Sequence, residues 1–223
     1  MFNIFGRVVI LIAVLCNAMF VFAQSEREYN DSLRKLALQQ IVELHSSFLI
    51  VRLDSKSDQI DYYLKHNNTL AAQSLKESTD RFNAKIIEAM RASFHFCPVF
   101  FMDSKDTPKL MESNLEEITF YSDDLILDPQ INPPKNSTYF IGEYSFTKDE
   151  NMKLDTTEYY GSTNLGVPAL VIMDQHLNQL KRPFPYYCKF SSKLLNPNKL
   201  KGKILKWNLK LTDYYSKNNK IGE

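Results

Sequence analysis

Three short apolar runs each end in an aspartate: Leu53-Asp54, Met102-Asp103 and Met173-Asp174. In a parallel α/β sheet, ligands sit outside the carboxyl ends of the strands. If the three runs are strands pointing the same way, Asp54, Asp103 and Asp174 converge at one end. Three carboxylates suit Mg²⁺ or Ca²⁺, which take oxygen ligands, and support metal-assisted hydrolysis. Two of the ends repeat each other, as Asp54-Ser55-Lys56 and Asp103-Ser104-Lys105. The structural alternative is commoner: Asp follows strands because it caps helices and closes Asx-turns.

Thiol chemistry is the second candidate. His95 and Cys97 are two apart and would share one face of a strand. A Cys–His pair makes a nucleophile with His as base. The neighbours Phe94, Phe96, Val99 and Phe100 point instead to a buried place, where a thiolate is disfavoured. Cys97 and Cys188 can also pair as one disulfide in an oxidising compartment, or stay as two buried thiols that pack like small hydrophobes.

Charge is the third. The chain has 223 residues, 27 Lys plus Arg and 26 Asp plus Glu, a formal net charge of +1. That balance, with 44% apolar and 13% aromatic residues, excludes a disordered chain and argues against a general nucleic-acid binder. The balance is uneven along the chain. Residues 176–223 hold eleven Lys or Arg against two acids, while 24–175 hold fifteen against twenty-four. If the tail is a helix, Lys203, Lys206, Lys210 and Lys217 crowd its solvent side. A basic amphipathic helix lies on an anionic membrane surface or a polyanion; alternatively, the basic tail packs on the acidic body.

Other chemistry leaves no trace. Six glycines include no dinucleotide or phosphate-cradling spacing, and neither H-E-x-x-H nor C-x-x-C nor G-x-S-x-G occurs. No cofactor is expected, apart from a divalent cation if the carboxylates meet. Three glycosylation sequons, beginning at Asn30, Asn67 and Asn136, matter only in a eukaryotic secretory pathway.

The elements that position these groups follow from periodicity. Arg7, the apolar run Val8 to Phe22 and the ending Val21-Phe22-Ala23 predict a secretory signal peptide over 1–23, leaving no transmembrane segment in the mature chain and one domain over 24–223. Ser25 and Glu28 have capping-box spacing ahead of a helix carrying Leu33, Ala37, Ile41 and Leu44. Phe48 to Leu53 predicts a strand buried on both faces. A short helix over Asp58 to Lys65 and a turn at Asn67-Asn68 precede the clearest element, a helix over Thr69 to Phe94. Its apolar stripe runs through Leu75, Thr79, Phe82 and Ile86, with charge opposite. A strand from Phe96 to Met102 then completes a βαβ crossover.

Residues 104–166 lose the pattern, with expected strands at Ile118 to Tyr121 and Thr138 to Phe146, the second half-exposed. Val167-Pro168 introduces a third buried strand, Ala169 to Met173. A hairpin loop over His176 to Asn178 and a return strand over Gln179 to Phe190 follow, demoted to an edge by Pro183 and Pro185. Lys199 to Lys217 fits helix and strand alike, and its length favours helix.

The order Val-Pro, strand, hairpin, strand, helix resembles the closing half of a thioredoxin-like domain. There a proline, usually cis, precedes the strand as Pro168 precedes Ala169; the paired cysteines of that family are missing. The words 49–53, 94–101 and 182–187 are similar to a group of uncharacterised exported bacterial proteins, a resemblance that implies export and a single domain. The expectation is one α/β domain: a mixed sheet of five to seven strands with a βαβ unit and flanking helices. Its expected role is that of a periplasmic or secreted, non-enzymatic binding or assembly domain of the envelope. A metal-assisted hydrolase and an anionic membrane-surface binder are the alternatives.

Overall fold

The computed structural model describes residues 27–134, 138–148, 166–191 and 196–219. The expected signal peptide lies outside them. Helix α1 covers 27–46 and turns Ala37, Ile41 and Leu44 inward at i, i+4 and i+7. A bend at Ser47 feeds β1 (Phe48–Leu53), which is followed by α2 (Ser57–Lys65), α3 (Thr69–Ser93) and β2 (Val99–Asp103). Strands β1 and β2 are parallel, with Leu49 opposite Val99 and Leu53 opposite Asp103. The βαβ unit read from the sequence is therefore present. Helix α3 starts after Asn67, which takes the left-handed conformation, and is capped by the Asn68 side chain, which accepts a hydrogen bond from the Ala71 N–H at 3.2 Å. Strand β2 begins three residues later than its apolar run does, because Phe96-Cys97 forms a bend.

The chain continues through α4 (Thr107–Met111), the two-residue strands β3 (Phe120–Tyr121) and β4 (Leu127–Asp128), and β5 (Tyr139–Phe146). It ends with β6 (Pro168–Met173), β7 (Tyr187–Lys189) and α5 (Pro197–Asn219). Seven strands form one mixed sheet in the order β4-β3-β2-β1-β5-β6-β7. Strands β2, β1 and β5 run parallel; β3 is antiparallel to β2, and β6 to β5.

Two expectations are refined here. The pattern of Phe140, Tyr144 and Phe146 predicts a half-exposed β5; the strand lies between β1 and β6 and buries Tyr139 to Gly142, so that only its second half, Glu143 to Phe146, is partly or fully exposed. Apolar groups on both faces of its first half, Tyr139 and Ile141 against Phe140, suit an interior strand. Gly142 lies opposite Val51, where a Cβ would approach Val51 Cγ2 to 3.2 Å. The return strand Gln179 to Phe190 is also mostly loop. Gln179 bridges Met173, Pro183 and Pro185 then carry the chain away, and pairing resumes only in β7. Among the described residues the cis peptide is Arg182–Pro183, not the bond before Pro168.

Each sheet face carries its own core. On one, Leu49, Val51 and Leu53 pack with Ile86 and Met90 of α3 and Ile204, Trp207 and Leu211 of α5. On the other, Phe48, Ile50, Met102, Ile141 and Val171 lie with Leu110 of α4. Each such side chain contributes about 1.5–3 kcal/mol by leaving water. The helical reading of the tail holds: Leu200, Ile204, Trp207 and Leu211 are buried while Leu205 and Leu209 are exposed, a period of a helix and not of a strand. Among the described residues no helix is long and apolar enough to cross a membrane.

Candidate functional site

Helix α3 is too long for the strands it covers. Its 25 residues span about 37 Å, whereas the six of β1 span about 20 Å. It runs back against β1 and β2, so its N-terminal half overhangs their carboxyl ends. The apolar stripe divides accordingly. Ile86, Ile87 and Met90 are buried on the sheet, while Leu75, Thr79 and Phe82 remain half-buried. Between them and the ends of β1 and β5 lies a crevice of about 520 Å³.

The chain path puts that crevice at a particular place. From β1 the chain goes to one side, to β2; from there it returns past β3 and β4 to the other side of β1, as β5. The gap between the carboxyl ends of β1 and β5 is thus the topological switch point, where open α/β sheets bind ligands. Val51, Leu53 and Leu170 form the floor, and Leu75, Phe82 and Ile86 the roof. Polar groups occur at the rim: Asn83 Nδ2 donates to the Asp54 carbonyl at 2.9 Å, and Ser78, Thr79 and Ser145 bring hydroxyls. Phe82 meets Tyr144 edge-on at 5.0 Å between centroids, and Tyr144 donates to the Phe190 carbonyl. Arg52 and Glu143 are opposite each other in the register and pair at 3.1 Å; the Arg52 Nε also donates to Thr107 Oγ1. This pair ties β1, β5 and α4 together beside the crevice.

The sequence-predicted carboxylates do not converge. Strand β6 is antiparallel to β5, so Asp174 leaves the opposite end of the sheet. Its neighbour Met173 is level with Ile141 and through it with Ile50, four residues short of Asp54, or about 13 Å along the strands. Each aspartate instead closes a local turn. Asp54 Oδ1 accepts from the Lys56 N–H and pairs with its ammonium; Asp103 Oδ1 accepts from the Lys105 N–H; Asp174 accepts from the N–H groups of His176 and Asn178. Among the described residues no group of three or more His, Cys, Asp or Glu side chains is arranged to hold a metal ion. What the structure does bring together is the repeated Asp-Ser-Lys. Asp54 to Lys56 and Ser104-Lys105 line a polar hollow of about 430 Å³ beside the crevice, with Lys56 in the left-handed conformation between the two.

Buried Asp103 faces Tyr121, whose hydroxyl donates to Oδ2 at 3.4 Å. Burial, and then the Asp103 charge, push the Tyr121 phenol up to about 12. Burial acts on the thiols in the same direction. It drives both Cys97 and Cys188 up to about 12, and His95 lies exposed just before the bend while Cys97 is buried within it. The two therefore share no strand face. The cysteines are free, with Cys97 at the entrance to β2 and Cys188 in β7, four strands away; at about 4.8 Å per strand the fold does not bring them within the 7 Å Cα reach of a disulfide.

The predicted basic residues behave differently from the carboxylates. Lys203, Lys206 and Lys210 line a groove of about 490 Å³ between α5 and the loop carrying Arg182. Lys217 pairs with Asp213 in its own helix, and Lys201 reaches Glu88 of α3 at 2.7 Å, a contact between tail and body.

Comparison of the chain with protein-family models, with curated proteins and with solved structures finds no match.

Proposed function

We propose that this chain is an exported, non-enzymatic binding domain that seats a small, mainly apolar ligand at the carboxyl ends of β1 and β5. The observation that carries the reading is the crevice of about 520 Å³ at the switch point, apolar in floor and roof, with hydroxyl and amide groups and the charged Arg52, Asp54, Lys56 and Glu143 around them. Pockets of about 300–1,000 Å³ with that division of polarity hold small molecules, the apolar walls supplying affinity and the few polar groups orientation. Binding rather than turnover is supported by how the reactive side chains are engaged. Asp54, Asp103 and Asp174 close local turns, and burial raises the thiols of Cys97 and Cys188. Export is supported by Arg7, the run Val8 to Phe22 and the small-residue ending at Ala23.

The test uses the neutral fluorophore N-phenyl-1-naphthylamine, which has an apolar body and one N–H. Saturable binding to the protein is expected, lost at least tenfold in Thr79→Trp, which obstructs the crevice from its rim, with the melting temperature retained. Equal binding by that variant places the ligand elsewhere and overturns the reading. The mature N-terminus after expression with the full leader is expected at Gln24.

A further inference from the structure

The groove beside α5 has a chemistry unlike the crevice. Arg182, Lys189, Lys203, Lys206 and Lys210 line it, and among the described residues no acidic side chain does. Lys199, Lys203, Lys206 and Lys210 recur at i, i+4, i+7 and i+11, so one exposed helical stripe carries them. Among the described residues Lys206, Lys210 and Lys189 have no side-chain hydrogen bond or ion pair, while Lys203 Nζ donates to the Lys189 carbonyl at 3.1 Å and Arg182 donates to the Tyr187 hydroxyl at 3.0 Å. The floor is rigid. Trp207 is 2% exposed and its Nε1–H donates to the Pro185 carbonyl at 2.7 Å, fixing the loop to the helix.

We infer that this groove is a second binding site, for a slim linear polyanion, and that an acidic polysaccharide is its occupant. Lysines on long stems act as point charges without a fixed fork, so they suit repeated charges along a flexible polymer better than one chelated anion. Positive charge is concentrated in this part of the chain: residues 176–223 hold eleven Lys or Arg against two acids, while 24–175 hold fifteen against twenty-four, so a slim polyanion seated in the groove meets its cationic side chains. A membrane is disfavoured because the apolar face of α5, Leu200, Ile204, Trp207 and Leu211, is consumed by the core, leaving only Leu205 and Leu209 exposed. A nucleic-acid strand is disfavoured because Trp207 and Phe184 are buried, which leaves the partly buried Tyr187 as the one groove aromatic for base stacking, where such sites stack successive bases on several rings.

The probe is a sulfated hexasaccharide titrated into the protein. Trp207, the one tryptophan of the chain, reports binding by its fluorescence. With five charges in contact, affinity is expected to fall about a hundredfold between 50 and 200 mM salt. Lys203→Gln/Lys206→Gln/Lys210→Gln is expected to lose binding at least tenfold with an unchanged melting temperature, and the corresponding triple arginine variant to keep it. The inference is overturned by unsaturable binding at 50 mM salt, by full binding in the glutamine variant, or by anionic vesicles or single-stranded DNA binding tenfold tighter than the hexasaccharide. N-phenyl-1-naphthylamine bound in the crevice is expected to stay bound throughout, so the two sites fail separately.

Discussion

The crevice under α3 and the groove beside α5 are similar in volume, about 520 and 490 Å³, and were made by different means. Backbone topology makes the crevice. Its walls are core residues of the sheet and half-buried residues of α3, which become a site only because α3 overhangs the sheet and the chain reverses direction around β1. Side-chain placement makes the groove. Four lysines at helical spacing lie on the flank of a helix whose other face is committed to the core. An apolar site of the first kind discriminates by shape and is insensitive to salt; a cationic site of the second kind is set by charge and screened by salt.

The largest effect expected on this contrast comes from the groove floor. Trp207→Ala removes a buried ring and its bond to Pro185, and should destabilise the domain by about 3–5 kcal/mol, read from urea unfolding. A smaller loss would mean that the loop and helix are held by something other than the tryptophan. The crevice support comes next. Arg52 is 14% exposed and Glu143 32%, so Arg52→Ala leaves a half-buried carboxylate without its partner, at about 1–3 kcal/mol after allowing for solvent screening. Its effect should reach crevice binding and leave the groove unchanged.

The thiols give a pH test of burial. Both are raised from 9.0 to about 12, so the folded state keeps them protonated where the unfolded chain ionises. Their stabilising contribution is complete below pH 9 and is lost progressively as pH rises from 9 towards 12. At pH 8 neither should react with iodoacetamide until urea is added; rapid native alkylation of Cys188 alone would show that the groove opens to its floor. The nearby Lys203 and Lys210 charges pull the Cys188 value down, a cause absent at Cys97. The smallest effect is expected at Gly142→Ala, where Val51 Cγ2 must yield a few tenths of an ångström. A loss of about 1 kcal/mol or less would show that the floor between β1 and β5 can adjust.

Much of this architecture was legible residue by residue. Phe48 to Leu53, the helix from Thr69 and the tail helix follow from the spacing of apolar side chains, since burial on one face imposes a period on the sequence. The parallel pairing of β1 and β2 follows from the long helix between them. The lysine stripe was equally visible, because charges at helical intervals share a flank wherever the helix lies. The candidate carboxylates show the limit. Asp54, Asp103 and Asp174 follow identical local patterns, and an aspartate after a strand closes the same turn at either end of a sheet. Only the antiparallel direction of β6 separates the third from the other two.

The sequence by itself determined the elements, their amphipathic faces and the uneven charge, because these depend on side chains a few residues apart. The tertiary structure alone decided that β5 lies beside β1, that Phe82 and Tyr144 face one gap, and that Arg182 and Lys206 share one groove. Those contacts join residues tens of positions apart. They are selected by the shared burial of two sheet faces, a property of the whole chain that no local pattern encodes.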